Sequence, residues 1–343
     1  MGNTALKQRF GFVGERFTSS EYYSAIENLS AKAEGTFQSF KPVLCYETKE
    51  SHGDLDCACV STSEDKTIQE QIQQLFGARY VQKNSNVYSF DYKEKHQVDM
   101  AVLPDEPSLK AYMFYCNYSP CGNIMGRMLK QLGLKLGING LTYPVKLSDS
   151  EQLGDIAITN PFGDQHEKQI LQLFDSTVPY GNFKTQQDIF NFLAESGLFN
   201  GDIFKFENLN HINRKRDKKR KDYHEWLESI KDKPNLFVGH PDKFTYIPFL
   251  ENFFNVDITE QWKLLYGKHL VLKDLNRKFN GDIVRDITGK TGKELGMLIK
   301  TYKESFDKFS KTFETFLLTH NESEILAHFI YWYNTNYEKG IDL

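Results

Sequence analysis

Three carboxylates constrain this chain more than any other feature. In Ser51-His52-Gly53-Asp54-Leu55-Asp56-Cys57-Ala58-Cys59-Val60 two aspartates stand at the head of an apolar run, and Asp99 sits in a second one, Val98 to Leu103. Side chains alternate faces along a strand, so Asp54 and Asp56 are expected on one face, with Leu55 and Cys57 on the other. Like charges held that close are costly unless a cation lies between them, and hard carboxylate oxygens suit Mg²⁺. If the second run pairs beside the first, Asp99 reaches the same edge. Gly-Asp-x-Asp alone is also a polar turn leading into a strand, so the order of the neighbouring elements has to decide.

That order is a helix from Ser20 to Ala33, a short strand from Val43 to Tyr46, a polar loop, Gly-Asp-x-Asp on a strand, a helix, then a strand with Asp99. With these motifs, residues 40 to 145 resemble the DNA polymerase β-like nucleotidyltransferases, nearest in character to poly(A) polymerases and CCA-adding tRNA nucleotidyltransferases. The resemblance implies an α+β fold, with an N-terminal mixed-sheet catalytic domain followed by a largely helical C-terminal region. It also implies two Mg²⁺ ions, with Mn²⁺ as a substitute, held by Asp54, Asp56 and Asp99. The substrates would be an NTP, with ATP favoured, and an RNA 3′ end. The family usually carries a Gly-Ser or Gly-Gly pair ahead of the first aspartate to cradle the triphosphate, whereas Lys41 to Cys45 contains no glycine. Lys49, Ser51 and Gly53 in the loop itself are the expected substitutes, although an ordinary solvated loop would read the same way.

At 343 residues, with 27 Phe and 18 Tyr, the chain can bury a full core and is expected to form two or three domains. We place them at 1–160, 161–235 and 236–343. No apolar run is long enough to span a bilayer and the N-terminus lacks the core of a signal peptide, so a soluble, cytoplasmic protein without a membrane partner is expected. Five cysteines without a Cys-x-x-Cys pair argue against a zinc knuckle or disulfide framework, and no His-Glu-x-x-His is present to mark a zinc protease. Gly289-Lys290-Thr291-Gly292-Lys293-Glu294 fails as a phosphate loop, because Glu follows the lysine where Ser or Thr is required.

The net charge of −4 hides a local excess: eight basic residues between Lys205 and Lys221 face only Glu207 and Asp217. Lys215, Arg216, Lys218, Lys219 and Arg220 are the expected track for an RNA backbone, since counterion release needs only local charge. The alternative is a solvated helix face. Tyr223, Trp226, Leu227 and Ile230 follow at helical spacing, which predicts that the basic residues ride on the start of one amphipathic helix.

Beyond Asp99, helices are expected over Ser108 to Asn117 and Pro120 to Leu136, and strands over Leu141 to Leu147 and Leu153 to Thr159. Asn123, Arg127 and Lys130 form a polar stripe on the second helix. The resemblance implies that Asn123 and Lys130 contact sugar and phosphate, with Tyr143 stacking on the base; a helix cap and an exposed lysine explain the first two equally well. Helices are also expected over His166 to Phe174 and Gln186 to Ser196, and Leu295, Leu298, Tyr302, Phe306, Phe309, Phe313 and Phe316 recur as a core stripe. Three functions remain open: a template-independent RNA nucleotidyltransferase, which adds a tail or CCA end; a nucleotidyltransferase that modifies a protein or small molecule or makes a second messenger; and a non-catalytic RNA-binding protein.

Overall fold

A computed structural model describes residues 4–138, 140–148, 150–159, 165–307 and 312–336. The strands are β1 (Phe17–Thr18), β2 (Ser39–Pro42), β3 (Ser51–His52), β4 (Leu55–Val60), β5 (Val81–Asn84), β6 (Val87–Tyr92), β7 (His96–Leu103), β8 (Lys135–Gly137), β9 (Gly140–Lys146) and β10 (Gln152–Ala157). The helices of the first part are α1 (Lys7–Phe10), α2 (Ser19–Ala33), α3 (Asp65–Phe76), α4 (Glu106–Cys116), α5 (Cys121–Leu129), α6 (His166–Phe174), α7 (Gln186–Ala194), α8 (His211–Asp217), α9 (Lys221–Ile230) and α10 (Ile247–Phe254). Then come α11 (Ile258–Lys278), α12 (Gly281–Thr288), α13 (Gly292–Asp307), α14 (Phe313–Thr319) and α15 (Glu322–Asn336). The architecture is a mixed α/β N-terminal part followed by helices, as the sequence implies.

The chain forms two compact units, 1–145 with 155–258, and 146–154 with 259–343. The helical 161–235 segment thus shares a unit with the sheet.

In the first unit, a five-stranded sheet runs in the order β2-β4-β7-β6-β5. Its central pair, β4 and β7, is parallel; β2 joins β4 and β6 joins β7 antiparallel. Central strands must be apolar on both faces, which explains the unbroken apolar runs. Leu55, Cys57 and Cys59 pack against Leu29 of α2 and Ile68, Ile72 and Phe76 of α3. Ala58, Val60, Ala101 and Leu103 pack on the opposite face against Leu109 and Tyr112 of α4. By strand alternation, Asp56 and Asp99 belong to the α4 face.

Local sequence fixes the helix starts. Thr18 and Glu21 form a capping box on α2, Thr185 and Asp188 form one on α7, and the Asp105 carboxylate accepts from the Ser108 N–H at the head of α4. At Gly122 on α5, an added Cβ would overlap the Tyr115 carbonyl oxygen, so only glycine allows α5 to start this close to the end of α4.

Three expectations need correction. The first strand is Ser39–Pro42 instead of Val43 to Tyr46. Val43 donates to the Asp56 carbonyl at 2.9 Å, after which the chain turns away and Glu47 and Thr48 donate to Phe183 and Lys184. The helix from Pro120 does not reach Leu136: α5 ends at Leu129, tightens into a 3₁₀ turn over Lys130–Leu132, and stops at Gly133 with φ 83°. The basic segment is two helices, since α8 ends at Asp217 and α9 begins at Lys221.

The second unit has its own core, in which Leu298, Tyr302, Phe313 and Phe316 join Leu275, Val284, Ile325 and Phe329. Leu295 and Phe306 are partly buried against it. Phe309 lies outside the described residues. Among the described residues no helix is long and apolar enough to cross a membrane.

Candidate active site

The parallel register places Asp56 directly opposite Asp99 on adjacent strands. Asp54 does not lie on β4 as strand alternation suggested; it occupies the bend between β3 and β4. It nevertheless acts on both partners. The Asp56 carboxyl is pushed up to about 8, first by desolvation and then by the charges of Asp54 and Asp99, with Lys49 opposing. Burial and Asp54 raise Asp99 to about 6, against hydrogen bonds from Ser89 and Gln97 that favour its ionised form. Gln97 Nε2 donates to Asp99 Oδ1 at 2.9 Å, and Ser89 is its register partner on β6. Asp56 is accessible to solvent, although the protein around it desolvates the carboxyl.

The loop before the carboxylates is built on buried aromatic contacts. His52 is 1% exposed and stacks on Tyr22 with centroids 3.7 Å apart. Burial first, and then the charge of Lys49, lowers its pKa to about 4, so it is neutral at physiological pH. Lys49 Nζ donates to Cys45 Sγ at 3.8 Å. Ser51 Oγ accepts from Arg16 Nε at 2.8 Å, and Arg16 Nη2 donates to the Ser51 carbonyl at 3.1 Å. Gly53 sits in the bend beside Asp54. Arg16 was not part of the sequence reading, because nothing local links it to residue 51; β1 pairing with β3 brings it there.

Asp56, on the α4 face of the sheet, also acts on side chains of α4. Burial raises the Cys116 thiol to about 12, with the charge of Asp56 contributing, and Asp56 also acts on Tyr112. One residue away on α4, Tyr115 is raised by burial and by Cys116, while Arg216, Arg220 and Arg127 pull it back. The Tyr115 ring thus feels three guanidiniums, while Cys116 and Tyr112 feel Asp56. Arg127 pairs with Asp217 and donates to the Tyr223 hydroxyl at 2.7 Å. Arg216 Nε donates to Asp217 Oδ1 at 2.9 Å and Arg216 Nη2 to Asn123 Oδ1 at 3.3 Å.

The expected ligand contacts thus separate by position. Asn123 is engaged by Arg216, whereas Lys130 is exposed in the turn after α5. Tyr143 is 5% exposed in β9 beside Gly133, so its ring offers no open face to a base. Lys215, Lys218 and Lys219 are exposed, while Arg216 and Arg220 turn inward toward Asp217. Asp217 is the residue that sequence reasoning missed; its signal was being the sole acid between Asn213 and Lys221.

Among the described residues, no three His, Cys, Asp or Glu side chains converge as a ready-made metal cage. The donor chemistry fits a hard divalent cation all the same: three carboxylates whose charges oppose one another, with Lys49 as the counter-charge acting on Asp56. A separate cavity of about 770 Å³ beside α4 is lined by Leu109, Met113, Phe114, His166 and Tyr180, and by none of the three aspartates.

Among solved structures, the chain is similar to Leishmania infantum polymerase β in a ternary gap complex, at 16% identity and a TM-score of 0.31. The match covers 38% of this chain and 51% of that one, so the chain spans about half the length of that protein. No protein-family model matches the chain, and no curated protein matches it.

Proposed function

We propose that this chain is a nucleotidyltransferase that adds nucleotides from an NTP to an RNA 3′ end without a template. The observation that supports it most is Asp56 opposite Asp99 on adjacent parallel strands, with Asp54 in the adjoining bend. Asp54, Asp56 and Asp99 would hold Mg²⁺, which when bound supplies charge neutralisation and acidifies the attacking hydroxyl.

The remaining work falls to side chains. Asp99, oriented by Gln97 and Ser89, takes the proton of the acceptor hydroxyl. The hydroxyl oxygen forms a bond to the α-phosphorus as the bond to the bridging oxygen of the β-phosphate breaks, and pyrophosphate leaves with that electron pair. Lys49 balances charge at the carboxylates, and Lys215, Lys218 and Lys219 offer exposed charge to an RNA backbone. A poly(A)-like tail is favoured over a CCA end, because the Arg- and Asp-bearing motif that selects C from A in the CCA-adding family has no counterpart here.

A second acceptor class is supported by one specific observation. Arg216 and Arg220 face Asp217, which shortens the RNA track to its lysines and favours a protein or small-molecule acceptor. Incubation with labelled RNA, Mg²⁺ and each NTP in turn separates the two. A ladder with one NTP supports tailing, a stop after the CCA triplet supports end repair, and transfer of label to protein without RNA supports the modifying enzyme.

A further inference from the structure

Asp217 is a single carboxylate, 1% exposed, with three guanidiniums around it. Arg127 pairs with one oxygen, Arg216 reaches the other at 2.9 Å, and Arg220 Nη1 lies 4.0 Å from that same oxygen. Burial pushes the Asp217 carboxyl up, but hydrogen bonds from Arg216 and Arg127 win and hold it below the ordinary carboxylate range, so it stays ionised. One negative charge against three positive ones leaves an excess of two within this cluster. The Arg127 side chain is 12% exposed and stacks over the Tyr223 ring at 4.8 Å, while those of Arg216 and Arg220 remain 34% exposed. Arg127 is thus committed to the scaffold, and the other two keep donors to offer.

We propose that Arg216 and Arg220, positioned by Asp217, form the site that takes the triphosphate tail of the nucleotide. A guanidinium fork matches phosphate oxygens bidentately, and partial burial strengthens each bond while prior ion pairing to Asp217 reduces the entropy lost on binding. The cluster acts on Tyr115 of α4, next to Cys116, which in turn feels Asp56. Asn123, which Arg216 holds, is on α5; the first turn of α5 abuts Tyr115 of α4, and α4 covers the sheet face to which Asp56 and Asp99 belong. Lys41 to Cys45 contains no glycine to cradle a polyphosphate by backbone N–H groups, and the Ser51 hydroxyl, which accepts from Arg16, has one donor left to offer. The basic run then divides by direction: arginines inward for a polyphosphate, lysines outward for a polymer backbone. The assignment of the anion to an NTP rests on the transferase reading; the anion site itself does not.

The test is calorimetric titration of inorganic tripolyphosphate into the full chain at low salt without divalent metal. Arg216→Gln/Arg220→Gln is expected to weaken binding by about tenfold or more, the loss of a charge-assisted bond. Lys215→Gln/Lys218→Gln/Lys219→Gln is expected to change it by less than about twofold, as exposed charges contribute little. Arg216→Lys/Arg220→Lys keeps the charge and loses the fork; its intermediate affinity, with an unchanged thermal midpoint, separates binding from folding. A parallel titration with short single-stranded RNA should show the reverse ranking. Absence of wild-type tripolyphosphate binding, equal losses in the arginine and lysine variants, or an arginine effect confined to RNA would overturn the assignment. Tripolyphosphate binding through the arginines in a chain that transfers no nucleotide would preserve this inference and sink the transferase reading.

Discussion

Replacing Asp56 by Asn should stabilise the metal-free protein, because the folded state desolvates this carboxyl and sets it against Asp54 and Asp99. Its pKa is raised from the ordinary carboxylate range to about 8, so the folded state holds a proton that the unfolded chain releases. The associated stability is fully present below the unfolded value and is lost as pH rises through the folded one. Stability should therefore fall between about pH 4 and pH 8. Taken at face value for a fully buried group, that shift would carry about 5–6 kcal/mol. Asp56 is exposed to solvent, so screening reduces this to about 1–2 kcal/mol. For a unit of this size that corresponds to a gain in Tm of roughly 2–8 °C at pH 8.5. Urea or thermal unfolding of wild type and Asp56→Asn at pH 5 and pH 8.5, with and without Mg²⁺, measures it directly. The variant should exceed wild type at pH 8.5, match it near pH 5, and lose its advantage when Mg²⁺ stabilises wild type alone. Equal or lower stability of the variant at pH 8.5 without metal would refute the claim that desolvation and the neighbouring carboxylates disfavour the Asp56 charge.

Other consequences are independent of metal. Asp217→Asn leaves three guanidiniums around a neutral amide and should cost about 3–5 kcal/mol in a urea titration; a loss below about 1 kcal/mol would show the cluster to be solvated. Gly122→Ala drives a methyl into the Tyr115 carbonyl and should cost about 1–3 kcal/mol by the same measurement, whereas an unchanged midpoint would show that α5 shifts freely. Lys215→Gln/Lys218→Gln/Lys219→Gln should flatten the salt dependence of RNA binding by roughly 0.7 in log–log slope per lost contact. A slope equal to that of wild type would remove the RNA track.

The acidic edge was legible because it depends on short-range rules: alternation along a strand, and apolar runs long enough to be central strands. Leu55 to Val60 and Val98 to Leu103 pair side by side as expected, and their register is parallel. What stayed hidden depends on contacts distant in sequence. Ser39–Pro42 has a single large apolar residue and a proline, so only its pairing with Cys57 to Val60 makes it a strand. Asp54 reads as a strand residue by spacing, yet the bend at Gly53 takes it off β4. In the basic segment, helical spacing before and after Asp217 concealed a break. Nothing local signals that this acid is buried among arginines from α5, from α8 and from the turn that follows α8. Tyr143 looked available for stacking because burial in β9 is set by Gly133 and the chain around Asp242.

The measurement that bears most directly on the central claim is pyrophosphate release from each NTP in the presence of RNA and Mg²⁺, by wild type, Asp56→Asn and Asp99→Asn. The account predicts Mg²⁺-dependent release by wild type with one NTP and loss of at least about a hundredfold in each variant while both remain folded. Undiminished release by either variant, or none by wild type with RNA or with a protein or small-molecule acceptor, would contradict it.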